Sequence, residues 1–324
     1  MGAMQAMNQD FVFTPFLERD LKEAGDLWNR CFSKAYKVDA FLLGQKLWTD
    51  PSFYGPASLA CKKDGRLAGA IVCKLSDNRM PEYQNTAWLS TLFVAPEERQ
   101  KSIGSTLFQK AEVALREAGV IKVLAGGELN NFFSGIPEPS EASRGLFTKM
   151  GFTLNTEEHY DLMANASQID FESLPLKYNK SQAYLTRPYQ PEDRKALESF
   201  FDSEFPGRWK LEIMDFIEGG GNPEHLLVLV NESQVKGFCK IHVCEKASGM
   251  GLYLGSSWGS LGPVGIALEL RGSGFGNRLL RDSLVYLKQQ GAGNVNIDWT
   301  ILKGFYGQFG FQPWRTYLGA YKRL

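Results

Sequence analysis

Leu261 to Asn277 reads LGPVGIALELRGSGFGN. An apolar, strand-like run leads through the glycine-rich loop Arg271-Gly272-Ser273-Gly274-Phe275-Gly276-Asn277 into a segment whose apolar members Phe275, Leu279, Leu280, Leu284 and Leu287 recur at helical spacing. A strand, a glycine loop and a helix in that order make a cradle for anionic oxygen. The first amides of a helix lack intrahelical partners and carry the positive end of its dipole. Glycines let the backbone close around a pyrophosphate without side-chain clash, and Arg271 or Arg278 adds charge-assisted contacts. A single such loop can equally be a turn.

Repetition counts against the turn. Arg99, Ile103 and Gly104 of RQKSIGS meet Arg271, Phe275 and Gly276 at an offset of 172. Upstream, Pro15, Asp20 and Phe32 meet Pro188, Asp193 and Phe205 at 173. Near the end of each copy, Leu146 to Phe152 (LFTKMGF) meets Phe305 to Phe311 (FYGQFGF) at 159, so the first copy carries 13 extra residues between these motifs. They fall around Glu128 to Ser143 (ELNNFFSGIPEPSEAS), a Gly/Pro/Ser/Asn-rich loop. Two copies of one domain follow, 8–173 and 174–324, with the cut near Leu174 in a polar, aperiodic stretch. Each copy reads as strands around a hairpin (Asp64-Gly65 in the first), a further strand, the loop, a helix, a strand, a short helix and closing strands. That is a mixed sheet with helices on its faces, of α/β (α+β) class.

Composition agrees. The 324 residues suit two domains, and 36 basic against 36 acidic side chains leave no net charge. A sequence-independent nucleic-acid binder needs a basic face, so that class is disfavoured. No stretch approaches the ~20 apolar residues that span a bilayer, and no leader is recognisable, which suggests a cytoplasmic protein with no membrane partner. Cys31, Cys61, Cys73, Cys239 and Cys244 are odd in number and mostly within apolar runs, as reduced core thiols are; no metal site is expected. Met1 to Ala6 is featureless and carries no fold argument.

The loop is not a dinucleotide fingerprint, since Asn277 stands at the third glycine position, and it lacks the Lys-Ser/Thr of a P-loop. It resembles the acetyl-CoA loop R/Q-x-x-G-x-G/A of the GNAT N-acetyltransferase superfamily. Arg271, Gly274 and Gly276 match it in full, and Arg99, Ser102 and Gly104 match except for Ser102. A second signature, Tyr followed after three residues by Gly-Phe, is met by Tyr306 with Gly310-Phe311; the first copy has Phe147 with Gly151-Phe152. The resemblance covers nearly the whole chain and implies two tandem GNAT domains, each a mixed, mostly antiparallel sheet flanked by helices, with acetyl-CoA as cofactor. It implies coenzyme contacts by Val264, Ile266, Arg271, Gly272, Ser273, Gly274, Phe275, Gly276 and Asn277. In the first copy, taken as degenerate, the matching positions are Val94, Arg99, Lys101, Ser102, Ile103, Gly104 and Ser105.

In this superfamily an amine attacks the thioester directly and the Tyr position commonly protonates the departing thiolate. Tyr306 is the catalytic candidate and Phe147 cannot serve. A phenol of pKa about 10 gives its proton to a thiolate of pKa about 8.5 only when positioned by a hydrogen bond. The resemblance places the oxyanion amide around Val264 to Ile266, where a splayed strand leaves N–H groups unpaired. Where some members carry a Glu base, this chain has Ser260 and Trp88. Asp298, at the end of NVNID, is the remaining carboxylate; a surface Asp, or a cap for a helix from Trp299 to Phe309, is the competing reading. His225 and His242 read as structural.

The acceptor is weakly encoded. Trp209, Trp258, Trp299 and Trp314 can stack a sugar or fill a core. FFSGIP (Phe132 to Pro137) and FYGQFGFQPW are most similar to tandem glucosamine or glucosaminide N-acetyltransferases, with mycothiol-synthase-like proteins as the neighbouring class. A small-molecule primary amine, an amino sugar first, is the expected acceptor. A non-catalytic acyl-CoA-binding module and a tRNA-dependent aminoacyl transferase are the alternatives.

Overall fold

The computed structural model describes residues 11–171, 174, 183–243 and 251–324. Cys244, residues 175–182 of the expected linker and Met1 to Ala6 lie outside the described residues. The chain forms two compact units, Met1–Tyr160 together with Arg315–Leu324, and Asp161–Trp314.

The first unit contains β1 (Phe11–Pro15), α1 (Leu21–Cys31), α2 (Ala40–Leu43), β2 (Leu59–Lys63), β3 (Arg66–Leu75), β4 (Thr86–Val94), α3 (Ile103–Glu117), β5 (Lys122–Ala125), β6 (Ile136–Pro137), α4 (Glu141–Lys149) and the start of β7 (Thr153–Asn165). β1 to β4 pair antiparallel in chain order, and β5 joins β4 in parallel. The β2–β3 turn uses Asp64 and Gly65 at φ +49° and +76°, the mirror-image turn that Asp-Gly favours. One face of α3 (Ile103, Leu107, Phe108, Ala111, Leu115) is buried against Phe147, Phe152 and the sheet. The Ile, Leu and Phe side chains each contribute about 1.5–3 kcal/mol by leaving water.

The second unit contains β8 (Leu185–Pro188), α5 (Arg194–Glu204), α6 (Arg208–Glu218), β9 (Leu226–Asn231), β10 (Gln234–Val243), α7 (Gly251–Leu254), β11 (Trp258–Ile266), α8 (Phe275–Gln289), β12 (Asn294–Thr300), α9 (Lys303–Gly307) and the first residues of β13 (Gln312–Arg323). Its order repeats the first: β8 to β11 antiparallel, β12 parallel to β11. The expected class, a mixed and mostly antiparallel sheet with helices on its faces, is what both units have. The expected helix from Trp299 to Phe309 is shorter. Trp299 takes φ +48°, which a continuing helix cannot accept, and α9 starts only at Lys303.

The units also differ from the consecutive blocks 8–173 and 174–324. After Trp314, β13 supplies the first unit's sheet, with Tyr321, Lys322 and Arg323 opposite Leu124, Val123 and Lys122. The Tyr36 hydroxyl donates to Thr316 O and accepts from Thr316 N, both at 2.7 Å. Arg315 Nε donates to Ala35 O at 2.7 Å. Leu318 and Ala320 are buried in the first unit's core. Pairing between residues nearly two hundred positions apart leaves no local mark, so chain order misassigns this strand.

In both units the parallel pair parts early. β11 follows β12 only over Trp258, Gly259 and Ser260, and β4 follows β5 only over Thr86 to Leu89. Beyond those residues the strands keep their antiparallel neighbours alone. Cys61, Cys73 and Cys239 are buried thiols, pushed up by burial to about 11, about 12 and about 12.

Leu318→Ala is expected to destabilise the first unit by about 3 kcal/mol. Hydrogen exchange should show faster exchange in β2 to β5 and unchanged protection in β9 to β11. The reverse pattern would assign the strand to the second unit.

Candidate active site

The loop before α8 is built by two left-handed residues, Gly272 (φ +76°) and Gly274 (φ +89°), a region that costs little only for glycine. Arg278 N is the first amide within the helical ladder, donating to Gly274 O at 3.1 Å. The N–H groups of Gly276 and Asn277 therefore stand ahead of it, at the positive end of the helix.

These amides open on a cavity of about 790 Å³ in the second unit. One wall is the loop itself (Arg271, Gly272, Gly274, Gly276, Asn277), and another is the parted end of β11 (Val264, Gly265, Ile266). Leu302, Phe305, Tyr306 and Gln308 come from around α9, and Phe205 and Trp209 from the ends of α5 and α6. The cavity is mostly apolar, with the loop amides and Arg271 among its lining, as a site for an apolar molecule with a charged group requires. Val264, Ile266 and Gly265 pair with Cys239, Gly237 and Phe238 on one side, and their opposite edge is open because β12 has departed.

Tyr306 lines this cavity while 5% exposed, its ring edge-on to Phe305 at 5.0 Å and to Phe311 at 6.1 Å. Burial, reinforced by Cys239 and Asp298, raises its pKa well above the ordinary phenol value. The hydroxyl thus stays protonated throughout neutral pH, as a proton donor must. Asp298 is an exposed residue inside β12, so the helix-cap reading is corrected by the strand running on to Thr300. It does not line the cavity, but its Oδ1 lies 3.6 Å from where a Cβ on Gly262 would sit.

Two expected contacts are placed elsewhere. The Ser273 hydroxyl turns back onto Leu270 O, and Phe275 is fully buried with its ring 4.5 Å from that of Tyr184. In the first unit the loop keeps its shape without its glycines: Gln100 (φ +65°) and Ser102 (φ +61°) occupy the places of Gly272 and Gly274. Its cations are engaged internally. Lys101 and Lys63 both bind Glu98, at 2.6 and 3.1 Å, and Arg99 Nε donates to Val94 O at 3.3 Å. Ile103 is buried, Gly104 packs beneath Leu146 and Val94, and Ser105 follows in the first turn of α3. Phe147 is buried against Phe152, at 5.1 Å between rings.

Some of the site was missed. Phe205, at the end of α5, had no signal beyond its place in the repeat, and Trp209, a stacking candidate by residue type, is brought to the cavity by α6. Beside the cavity, Lys240 occupies a bulge in β10 opposite Gly262 and Pro263 and lies 4.9 Å from the Phe216 ring. Burial lowers its pKa against the opposing pull of Glu212 and Asp298. Arg208 binds Glu212 and stacks 4.5 Å over Trp299. Of the four tryptophans, Trp258 is buried in the unit and Trp314 donates to Asn296 Oδ1 at 2.9 Å.

Residues 21–152 match the model of the Acetyltransferase (GNAT) family. No curated protein matches the chain. Among solved structures, a GCN5-related glucosamine N-acetyltransferase region of a fungal multi-domain GH3 beta-N-acetylglucosaminidase is similar at TM-score 0.82 and 21% identity, over 96% of this chain and 38% of that one. A GCN5-related N-acetyltransferase from Sphaerobacter thermophilus is similar at 0.71 and 16%, over 97% and 95% of the two chains. A tandem GNAT protein from the clavulanic acid biosynthesis pathway is similar at 0.62 and 15%, over 97% and 98%. A GNAT-like fold thus extends across the chain, and residues 21–152 are similar to the GNAT family.

Gly274→Ala is expected to cost about 1–2 kcal/mol, because it forces a side chain into a left-handed conformation. Gly276→Ala, at ordinary φ with 3.5 Å to Ile266 Cδ1, should be neutral or stabilise by about 0.5 kcal/mol while narrowing the cavity. Urea unfolding of the two variants checks the contrast; equal losses would mean that backbone conformation does not distinguish the two sites.

Proposed function

We propose that this GNAT-fold chain is an acetyl-CoA-dependent N-acetyltransferase acting on a primary amine of a small molecule, with chemistry in the second unit. The observation that carries the reading is the buried Tyr306 hydroxyl in the same cavity as the open amides of the α8 loop. Gly276 and Asn277 N–H, with Arg271, would hold the diphosphate of the coenzyme. When bound, acetyl-CoA supplies an activated thioester. An N–H among Val264 to Ile266, on the edge abandoned by β12, donates to the carbonyl oxygen as negative charge gathers there.

Tyr306 gives the sulfur its proton. Burial raises the pKa of Tyr306 and keeps its hydroxyl protonated at neutral pH, and a hydrogen bond to the departing sulfur would position that proton for transfer. Asp298, within electrostatic reach of Tyr306 and Lys240, is our choice for the group that takes the proton of the incoming ammonium, directly or through water. An amino sugar is the leading acceptor. That choice is supported by the glucosamine N-acetyltransferase region among the similar structures and by Trp209 on the cavity wall.

Tyr306→Phe should lower kcat about 10²-fold while leaving coenzyme A affinity within about twofold. Because the Tyr306 pKa is raised, the wild type should not lose activity from this group as pH rises through the usual tyrosine range near 10. Steady-state kinetics with glucosamine and titration calorimetry with coenzyme A check both; unchanged kcat would remove Tyr306 from the chemistry.

A further inference from the structure

We propose that the second unit selects an acceptor that carries an acidic group, a carboxylate or a phosphate, besides its amine, with Lys240 holding the acid and Asp298 the amine. The inference rests on the acetyl-transfer reading and adds the substrate class to it.

Strand register places these two residues on one face of the sheet. His242 pairs with Ser260, and Ser260 with Asn296, so the three project to the same side. Lys240 and Asp298 stand two residues further along β10 and β12 and project to that side as well. Between them β11 bulges. Leu261 pairs with Ile241 and Val264 with Cys239, so Gly262 and Pro263 together face Lys240. The position of Asp298 agrees, its Oδ1 lying 3.6 Å from where a Cβ on Gly262 would stand. Two strand spacings, roughly 10 Å, separate the backbones of Lys240 and Asp298, and Gly262 between them contributes no side chain. Asp298 is exposed, and Lys240, Gly262 and Pro263 are partly so, which leaves this gap open to solvent.

Helix α6 ties the gap to the cavity. Trp209, Glu212 and Phe216 recur at helical spacing and share a side. The Trp209 ring packs on Phe238 at 6.0 Å and the Phe216 ring lies 4.9 Å from Lys240 Nζ, so that side of α6 covers this face of β10. Trp209 and Gly265, the partner of Phe238, both line the cavity that holds Tyr306. Lys240 is two residues along the strand from Phe238, and Asp298 acts electrostatically on Tyr306 itself.

The charges on this face are matched unevenly. Arg208 takes Glu212 at 2.5 Å and stacks on Trp299 at 4.5 Å. Lys240 has the Phe216 ring, and among the described residues neither its ammonium nor the Asp298 carboxylate enters an ion pair. A half-buried ammonium with no anion in contact is poorly solvated, in keeping with the downward pull of burial on its pKa. A fixed cation and a fixed carboxylate that stand near each other without touching complement a zwitterion. Its amine lies toward Asp298 and the reaction centre, and its acid toward Lys240. An amine without an acid would answer Asp298 alone and bring its own positive charge toward Lys240.

Two pairs of probes differ in the acid: glucosamine 6-phosphate against glucosamine, and β-alanine against propylamine. Each is titrated by calorimetry into the full chain with coenzyme A bound, and turnover of each is followed with acetyl-CoA. The acid-bearing member of at least one pair should bind at least about 10-fold tighter than its counterpart. Lys240→Met, similar in shape and uncharged, should shrink that preference to about twofold or less. A preference in the sugar pair alone assigns a phosphorylated amino sugar, and in the other pair alone an amino acid. The proposal is overturned if no probe binds, if neither pair shows a preference, or if Lys240→Met keeps it. Acid-dependent binding without acetyl transfer would retain the site and remove the acetyl-transfer reading, whereas transfer without acid preference would do the opposite. The comparison within each pair on the unmodified chain decides the matter even should the variant not fold.

Discussion

Everything in the second unit turns on two consecutive demands made of the backbone between β11 and α8. The chain must take a left-handed turn twice, at residues 272 and 274, so that the helix begins with its amides facing the cavity rather than the strand. Once that turn is made, the rest follows geometrically. The helix dipole points its positive end at the cavity, β11 is released from β12 after three paired residues, and α9 can lay Phe305 and Tyr306 along the space that the release creates. The first unit makes the same double turn with Gln100 and Ser102, residues that gain nothing from it locally. Tolerating a Ser and a Gln in that conformation costs about 1–2 kcal/mol each, which the surrounding sheet and helix must offset. The shape is thus a property of the fold, and glycine only makes it cheap.

The two units differ in what surrounds that common shape. In the second, burial raises the proton affinity of Tyr306 and of the nearby Cys239 thiol, so both stay protonated at neutral pH. In the first, Leu146 and Phe147 replace the aromatic pair Phe305 and Tyr306, Glu98 binds Lys101 of the loop and Lys63 of β2, and buried polar side chains lie along β4. Asp50 shows how tightly that face is held. Burial opposes its ionisation, yet Lys74, the Ser52 amide and Asn130 overcome the penalty and keep its carboxyl below the ordinary range.

Much of this was legible in the sequence because it is local. The Asp64-Gly65 turn, the apolar stripe of α8 and the Arg271 to Gly276 loop each rest on residues within a few positions of one another, and each is where periodicity and glycine placement put it. Val264, Ile266, Arg271, Gly272, Gly274, Gly276, Asn277 and Tyr306 do come together around one cavity. What failed to show was set by distant partners. β13 reads as any closing strand, and only its pairing with β5 assigns it to the first unit. Trp299 would continue a helix by propensity, but its left-handed φ, with its amide bound to Asp161, ends that option. Lys74 looks like a surface lysine in an apolar strand until Asp50 and Glu128 are brought to it.

The same distinction explains why an insertion could alter one copy without unmaking it. The extra residues enter after β5, downstream of the strand that parts and clear of the double turn, so the anion-facing geometry is untouched. They fold instead over Lys74 on β3, where the requirement is that buried polar atoms find partners. Lys74, Asp50 and Asn130 meet it among themselves.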